Sequence, residues 1–313
     1  MPERVSKPSA LPNLSLGTVI TIGTFDGVHV GHQDLLARVV ERATARSLPS
    51  LLVTFLPHPL EIVNPTAAPL LLSTTEEKLE CIAESGLEYV AVLPFTSALA
   101  ALDPTEFVER ILLERFCLQE LVIGYDHGFG RGRAGDVKVL RELGERHDFA
   151  VAVVEAISVD GLPVSSSAIR RAVSYGDLAS AQRLLGRRYA FIGRVGHGNE
   201  RGRLLGFPTL NIALPSQRKL LPPPGVYAVY VQSALGSFGG MMNLGPRPTF
   251  GDATLSLEVH LFDAGGDWYG APVRVEFVQR LRETMRFESP DALVAQLRAD
   301  ERAARAALTQ VEA

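Results

Sequence analysis

Residues 18–32 read TVITIGTFDGVHVGH, and this stretch decides the fold of the first half of the chain. Thr18–Gly23 is apolar and rich in β-branched residues, which predicts a strand. A glycine-containing turn follows, and Gly31–Arg46 then has the apolar spacing of an amphipathic helix. A strand, a tight turn and a helix in this order begin a parallel sheet that is covered by helices.

The rest of the first half repeats this alternation. Short apolar runs predict further strands at Leu51–Phe55, Tyr89–Leu93, Leu121–Gly124 and Val151–Val154. Segments with the apolar spacing of helices separate these strands, at Thr75–Ser85, Pro104–Phe116 and Asp136–His147. We therefore predict a doubly wound α/β domain.

The second half differs in residue composition and in hydrophobic periodicity. Two short helices are expected at Ser165–Tyr175 and Asp177–Leu185, and we place the domain boundary after them, which gives domains 17–186 and 187–313. Beyond this point glycine and proline are dense, and strict alternation in Leu255–Phe262 and Val273–Phe277 predicts strands of a small antiparallel barrel. A last helix is expected to start at Ser289-Pro290-Asp291.

Composition limits the function classes. A net charge of −4 and a pI near 6.0 leave no broad basic surface, so we expect no nucleic-acid partner. Met1–Leu16 lacks an apolar segment of signal-peptide length, and no later run approaches the ~20 apolar residues of a membrane span. Cys81 and Cys117 lie far apart in sequence, and we expect both to be buried thiols. These features predict a cytoplasmic protein with no membrane association.

His29 and His32 form the first candidate site. They are three residues apart at the predicted helix start, so they lie on one side of it, beside backbone N–H groups that carry partial positive charge. This arrangement can hold a nucleotide triphosphate. The alternative is that two histidines near a turn cap the helix or pack against it.

Residues 206–211, GFPTLN, form the second candidate site. Thr209 and Asn211 put a hydroxyl and a carboxamide on what we expect to be a strand, and such oxygens can complete the shell of a hard divalent cation. The alternative is that Pro208-Thr209 only forms a bend at a strand end. Two sites of this kind on one chain suggest two successive reactions on one small molecule.

Several motifs of the first half now identify a family. Gly23–His32, Thr54–Pro59 and Val164–Arg170 resemble the adenylyltransferase half of the bacterial bifunctional riboflavin kinase/FMN adenylyltransferase (FAD synthetase) family. The second half resembles the kinase module of the same family. The resemblance implies a Rossmann-like nucleotidyltransferase domain, of the fold shared with the H-I-G-H aminoacyl-tRNA synthetases, followed by a riboflavin kinase barrel.

The resemblance also implies the two reactions. Riboflavin and ATP would give FMN and ADP at the barrel, with Mg²⁺ as cofactor, and FMN and ATP would then give FAD and pyrophosphate at the first domain. In that domain His29 and His32 would contact the ATP phosphates. The implied ATP-binding residues are Gly23, Phe25, Asp26, Gly31, Ser166, Ser167 and Arg170. The implied flavin-binding residues are Phe55, Pro57, Pro59, Asp126 and Phe129; for each of the phenylalanines a place in the core is the alternative.

Phosphorylation at the barrel needs a base, because the attacking group of riboflavin is a neutral alcohol. Glu258 is our candidate, and the resemblance gives the corresponding glutamate that role; a solvent-facing glutamate without function is the alternative. Thr209 and Asn211 would meet Mg²⁺. The implied ATP-binding residues are Gly193, Val195, Gly202, Gly206 and Pro208. The implied flavin-binding residues are Asn243, Arg282 and Arg286.

The chain departs from the family pattern at Pro163, where many relatives carry a basic residue, and at Leu56 and His127. Trp268 replaces a more usual aliphatic residue, and its ring either packs on flavin or covers the barrel. A flavin carrier with silent sites and a tRNA-linked ligase are the alternative functions, and the acidic balance disfavours the ligase. The sequence leaves the oligomeric state open.

Overall fold

Parallel strands build the first half of the molecule. A computed structural model describes residues 3–5, 14, 16–125, 128, 130, 135–197, 205–214, 216–246 and 255–312. The main sheet has six strands, all parallel, in the order β1-β4-β3-β2-β5-β6. Their bounds are Glu3–Val5 (β1), Thr18–Ile22 (β2), Ser50–Leu56 (β3), Tyr89–Pro94 (β4), Leu118–Gly124 (β5) and Ala150–Val154 (β6).

The strand order reverses between β2 and β5. In a doubly wound sheet, ligands bind at such a switch point, beside the carboxyl ends of the strands. The loop that leaves β2 is the predicted phosphate loop. The topology therefore places the start of this loop at the switch point.

Successive residues of each strand pack on opposite faces of the sheet, which gives two cores. Ile20, Leu51 and Leu121 belong to one buried cluster, whereas Val19 and Leu52 belong to the other. The helices of this half are Val30–Arg46 (α1), Pro59–Val63 (α2), Thr75–Ala83 (α3), Ser97–Ala101 (α4), Pro104–Phe107 (α5), Glu114–Phe116 (α6) and Val137–His147 (α7). Both sheet faces are thus apolar, as buried parallel strands require.

An ion-pair cluster orients helix α1 on the sheet. Glu120 of β5 is 1% exposed, and its carboxylate pairs with Arg42 and with Arg46, whose Nε lies 2.6 Å from Oε2. A buried carboxylate needs such partners, because desolvation without them costs several kcal/mol. The cluster ties the last turns of α1 to the strand next to β2.

The predicted elements of this half are confirmed, and the structure adds three that the sequence did not indicate: β1, α2 and α4. A further addition is a hairpin of Ser158–Val159 (β7) and Leu162–Pro163 (β8). Its turn residues Asp160 and Gly161 have φ of 53° and 76°, as a tight hairpin turn requires. Residues 108–113 between α5 and α6 are π-helical.

A closed barrel forms the second half. Its strands follow the order β10-β13-β12-β11-β14-β9, and every pair is antiparallel. Their bounds are Ala190–Gly196 (β9), Leu210–Ala213 (β10), Gly225–Ser233 (β11), Gly236–Pro246 (β12), Leu255–Leu261 (β13) and Pro272–Arg282 (β14). Val273, Val275 and Phe277 are buried, which confirms the predicted alternation. Closure leaves no unpaired sheet edge.

Helices flank the barrel sequence on both sides. They are Ser166–Tyr175 (α8), Leu178–Leu185 (α9) and Pro290–Glu312 (α10). The last helix covers part of the outer barrel face: Ala304, Ala307 and Leu308 share a buried cluster with Ala228 and Met241. The predicted C-terminal helix is confirmed.

The chain divides into two compact units, Met1–Ser166 and Ser167–Ala313. This division lies closer to the N-terminus than the boundary predicted at residue 186, because helices α8 and α9 group with the barrel. Within the described ranges, no helix combines the length and apolar character that a membrane crossing needs.

Candidate functional site

The loop after β2 is conformationally strained. Phe25 and Val28 have φ of 50° and 39°, and Gly27 has φ of 82°. A β-branched residue such as Val28 rarely adopts positive φ, and strain of this kind persists only where the surroundings enforce it. Gly31 has a steric role, because a Cβ there would lie 3.3 Å from Nδ1 of His29. The loop is held in one unusual shape directly before helix α1.

His29 is the N-cap of helix α1, and its Nδ1 accepts a hydrogen bond from the backbone N–H of His32 at 3.2 Å. The two imidazole rings stack, with centroids 3.6 Å apart and 13° between their planes. The Phe25 ring lies 4.6 Å from that of His32. Because Nδ1 of His29 is an acceptor, the donor nitrogen of its neutral ring is Nε2. Capping, the alternative interpretation of this motif, is therefore confirmed, and it is compatible with phosphate binding.

Asp26 holds the loop to the segment before helix α3. Its carboxylate accepts hydrogen bonds from the backbone N–H groups of Leu72 and Ser73, each at 3.0 Å, and from the Ser73 hydroxyl at 3.2 Å. The same hydroxyl accepts from Gly27 N–H at 2.9 Å. Ser166 Oγ donates to the Asp26 carbonyl at 3.0 Å. The predicted residues Asp26 and Ser166 are thus brought together, and these contacts stabilise the loop.

Other predicted residues of the first site have defined places. Gly23 directly follows β2, and a Cβ there would lie 3.0 Å from Cε2 of Phe25. Phe55 is the penultimate residue of β3, and its ring meets that of Phe95 edge-on at 5.3 Å. The remaining predicted positions are Pro57 and Pro59, half-buried at the start of α2, Ser167, exposed in α8, and Arg170, half-buried in α8. Asp126, Phe129 and His127 lie outside the described residues, as does Gly202 of the second site.

Predicted residues of the second site lie on one line across the barrel. Asn211 is opposite Glu258, and Glu258 is opposite Asn243 on its other side. Asn243 is in turn opposite Val226, which is opposite Arg282. Directly opposed residues of paired strands have their side chains on the same face, with Cβ atoms ~4.5–5.5 Å apart. Glu258 therefore lies between Asn211 and Asn243 on one face of the barrel.

Glu258 is half-buried, unlike the exposed surface glutamate of the alternative interpretation. The hydroxyl of Ser256, which is 7% exposed, donates to its Oε1 at 2.8 Å. His260, the next residue on this face of β13, has its Nδ1 2.8 Å from the carbonyl oxygen of Pro208. That contact fastens the segment leading to Thr209, which is half-buried just before β10.

The predicted ATP-binding positions of the barrel differ in burial. Val195 is 3% exposed and belongs to the barrel core. Gly193 allows close strand approach, because a Cβ there would lie 2.5 Å from Cγ2 of Ile212 and 2.7 Å from the carbonyl oxygen of Ala213. Gly206, at φ of 82°, is exposed with open space around it. Backbone and packing requirements thus explain both glycines without a ligand.

Arg282 holds the C-terminal helix to the barrel. Its Nε donates to Oδ1 of Asp300 at 2.9 Å, and its Nη2 donates to Oδ2 at 2.6 Å. Asp300 is 3% exposed and also accepts from Gln296 at 2.8 Å. Arg286 is exposed. Trp268 is 6% exposed and meets Phe238 edge-on at 5.3 Å, so its ring covers the barrel.

Sequence reasoning missed Ser256, Asp300 and Lys78 as residues that hold the candidate sites together. Lys78 is 7% exposed on helix α3, four residues before the buried Ile82. A lysine at the core-facing position of an amphipathic helix was the signal that could have found it. The signal for Ser256 was its place two residues before Glu258, which puts both side chains on the same face of a strand.

Comparisons with known proteins agree with this geometry. A family model described as FAD synthetase matches residues 12–168, and one described as riboflavin kinase matches residues 185–308. The chain is 43% identical to the bifunctional riboflavin kinase/FMN adenylyltransferase of Pseudomonas fluorescens, over 93% of both chains. It is 40% identical to the protein of the same description from Escherichia coli K12, over 92% of both.

A solved structure also matches, that of a Streptococcus pneumoniae chain described as a macrolide-efflux protein. The TM-score is 0.85 at 30% identity, and the match covers 97% of this chain and 98% of the other. The fold is therefore shared, and the efflux description remains with that protein. The two family models and the curated relatives agree on the order of the domains, with adenylylation of FMN to FAD assigned to the first and phosphorylation of riboflavin to FMN assigned to the second. This chain belongs to the bifunctional riboflavin kinase/FMN adenylyltransferase family.

Proposed function

We propose that Glu258 is the general base of riboflavin phosphorylation. The observation that carries this role is the row Asn211, Glu258, Asn243 on one face of the barrel, with the carboxylate half-buried and hydrogen-bonded by Ser256. A carboxylate in this position can take the proton of the attacking hydroxyl as the oxygen bonds to the γ-phosphate of ATP. Asn243, beside it, is the candidate partner for the flavin.

Residues at and beside this row suit a magnesium ion. Thr209, just before β10, offers a hydroxyl, and Asn211 and Glu258 offer a carboxamide and a carboxylate. Hard cations prefer oxygen donors of these kinds. We propose that Thr209 and Asn211 hold Mg²⁺ together with ATP oxygens. When bound, the ion neutralises phosphate charge. The barrel residues meanwhile orient ATP and remove the proton.

We propose that the loop after β2 binds the triphosphate for adenylyl transfer. His29 and His32 stack at the N-terminus of helix α1, where N–H groups and the helix dipole favour an anion. The phosphate of FMN is largely ionised near neutral pH, so its attack on the α-phosphate needs positioning and charge neutralisation but no base. Ser166, whose hydroxyl is bonded to the Asp26 carbonyl, is proposed to complete this site. Ser167 and Arg170 stay proposed ATP-binding residues on the family resemblance alone.

Two substitutions test this division of labour. Glu258→Gln should abolish FMN formation from riboflavin and spare FAD formation from supplied FMN. His29→Ala should do the opposite. Both products are quantified by chromatography from one preparation of each variant, so the unaffected reaction reports that the chain is folded. Equal loss of both reactions in either variant would contradict the assignment.

The domain limits 17–186 and 187–313 remain our proposal for the functional units. The first family match ends at residue 168 and the second begins at residue 185, so most of helices α8 and α9 lies outside both matches. A cytoplasmic location is also proposed. It is supported by ATP as the substrate of both reactions and by Cys81 and Cys117, which form no disulfide. Both thiols are half-buried, not fully buried as predicted.

A further inference from the structure

Lys78 is a buried cation that the reactions described above do not use. It lies on helix α3 with 7% of its surface exposed. Its Nζ donates to Oγ1 of Thr54 at 3.1 Å and to the carbonyl oxygens of Thr24 at 3.2 Å and Phe55 at 3.5 Å. An ammonium has three N–H donors, and these contacts match that number.

The acceptors belong to two different segments of the first unit. Thr24 opens the strained loop that leads from β2 to His29, whereas Thr54 and Phe55 lie among the last three residues of β3, just before Pro57. Thr54 Oγ1 itself donates to the Thr24 carbonyl at 3.2 Å. Lys78 thus joins the end of the proposed nucleotide strand to the end of the proposed flavin strand.

The first turn of the same helix is anchored independently. Asp26 in the nucleotide loop binds Leu72 and Ser73, which lie just before α3. Thr74 then caps the helix, with its side chain accepting from Glu77 N–H. Helix α3 is therefore fixed to the nucleotide loop before Lys78 reaches both strand ends.

Stability alone does not explain a cation in this place. Burial lowers the pKa of Lys78 to about 8, and the attraction of Asp26 only partly offsets that effect. Desolvating an ammonium costs several kcal/mol, and an apolar side chain of similar volume often serves stability as well or better. A charge kept at such a cost is consistent with a role in geometry.

We infer that Lys78 is a positioning residue for adenylyl transfer, which fixes the spacing between the nucleotide loop and the flavin strand. This inference rests on the assignment of FMN adenylylation to the loop after β2. The transfer requires an FMN phosphate oxygen to approach the α-phosphate of ATP in line. A misplacement of about 1 Å can cost on the order of 100-fold in rate. Lys78 acts on the two segments and not on the reacting atoms.

The primary test compares Lys78→Met with Lys138→Met in the full-length protein. Methionine keeps most of the packing and removes the charge, and Lys138 is an exposed lysine of helix α7 in the same unit. Lys78→Met should lower kcat for FAD formation from FMN by about tenfold or more, with the KM values for FMN and ATP within about threefold of wild type. Riboflavin phosphorylation by the same preparation should be unchanged, and Lys138→Met should leave both reactions unchanged.

Thr54 supplies a second, milder test. Thr54→Val removes the hydroxyl that joins Lys78 to the Thr24 carbonyl while keeping the side-chain shape, whereas Thr54→Ser keeps the hydroxyl. The kcat for FAD formation should fall by about threefold to tenfold in the valine variant, because one hydrogen bond is lost. The serine variant should have a kcat close to that of wild type. A merely structural role would not separate kcat from KM or the two Thr54 variants from each other.

Two outcomes would overturn the inference. They are wild-type kcat in a folded Lys78→Met variant and an equal effect of the two Thr54 substitutions on FAD formation. If Lys78→Met loses both reactions through misfolding, the Thr54 pair decides. Failure of the wild-type protein to form FAD from FMN would instead refute the proposed function on which the inference rests.

Discussion

The hydroxyl of Ser256 donates a hydrogen bond to Oε1 of Glu258 across 2.8 Å, two residues apart on one face of β13. Ser256 is buried, so its hydroxyl has a fixed environment. The bond restrains Oε1 and leaves Oε2 as the oxygen that we expect to accept the substrate proton. It thereby pre-organises the proposed base.

Ser256→Ala should therefore lower kcat for riboflavin phosphorylation by about tenfold. A hydrogen bond to a charged group contributes roughly 1.5 kcal/mol, which corresponds to that factor. The KM for riboflavin should change little, because Ser256 is not expected to touch the substrate. Steady-state assays of FMN formation check both values. Ser256→Thr, which keeps a hydroxyl, is the matched control, and a threonine variant as slow as the alanine variant would argue against orientation of Glu258.

His29 combines helix capping with proposed phosphate binding, and the two roles can be separated. His29→Ala should lower the free energy of unfolding by about 1 kcal/mol through loss of the cap, whereas His29→Asn should restore it, because asparagine is among the best N-caps. FAD formation should fall by about 100-fold or more in both variants, since neither has an imidazole for the triphosphate. Denaturant titration and product assays check the two effects, and recovery of activity along with stability in the asparagine variant would reduce His29 to a cap.

Local patterns predicted much of the fold. Residues 18–32 have a strand period, a turn and a helix period in immediate succession, and the structure has β2, the strained loop and α1 there. Val273, Val275 and Phe277 alternate with charged residues, and all three are buried in the barrel. In these segments the local propensity and the tertiary environment agree.

The remaining features depend on contacts between distant residues. Strand β1 has only three residues, and it is a strand because β4, more than 80 residues later, pairs with it. The alignment of Glu258 with Asn211 and Asn243 depends on the barrel register, which the sequence of any one strand does not contain. Lys78 interrupts an apolar helical stripe, and only the approach of β2 and β3 supplies the acceptors that satisfy it.

Lys78 should also give the first unit a specific pH dependence. Burial lowers its pKa to about 8 in the folded chain from the ordinary lysine value of 10.5, so between these values the unfolded chain binds more protons than the folded one. The contribution of Lys78 to the free energy of unfolding therefore rises with pH across that window. The free energy of unfolding of wild type relative to Lys78→Met should increase by on the order of 3 kcal/mol between about pH 8 and pH 10.5.

Hydrogen exchange of the β2 and β3 amides checks this prediction, because it reports on the first unit alone. The only tryptophan of the chain, Trp268, lies in the barrel unit, so its fluorescence provides a matched measurement of a region that should not respond to the substitution. A difference between wild type and variant that stays constant with pH would show that Lys78 keeps an ordinary pKa.

The ion pair of Arg282 and Asp300 should stabilise the barrel unit. Removing the pair also tests whether Arg282 binds the flavin. Asp300→Ala would leave the Arg282 guanidinium largely buried without its main partner, which should cost about 3–5 kcal/mol. Replacing both residues, Arg282→Met with Asp300→Leu, should recover most of that loss, because it removes the stranded charge and keeps the packed volume. Urea titration followed by Trp268 fluorescence measures both changes. If the folded double variant binds riboflavin as tightly as wild type, Arg282 acts only in fastening helix α10, and if its affinity falls while stability is retained, the arginine also contacts the flavin.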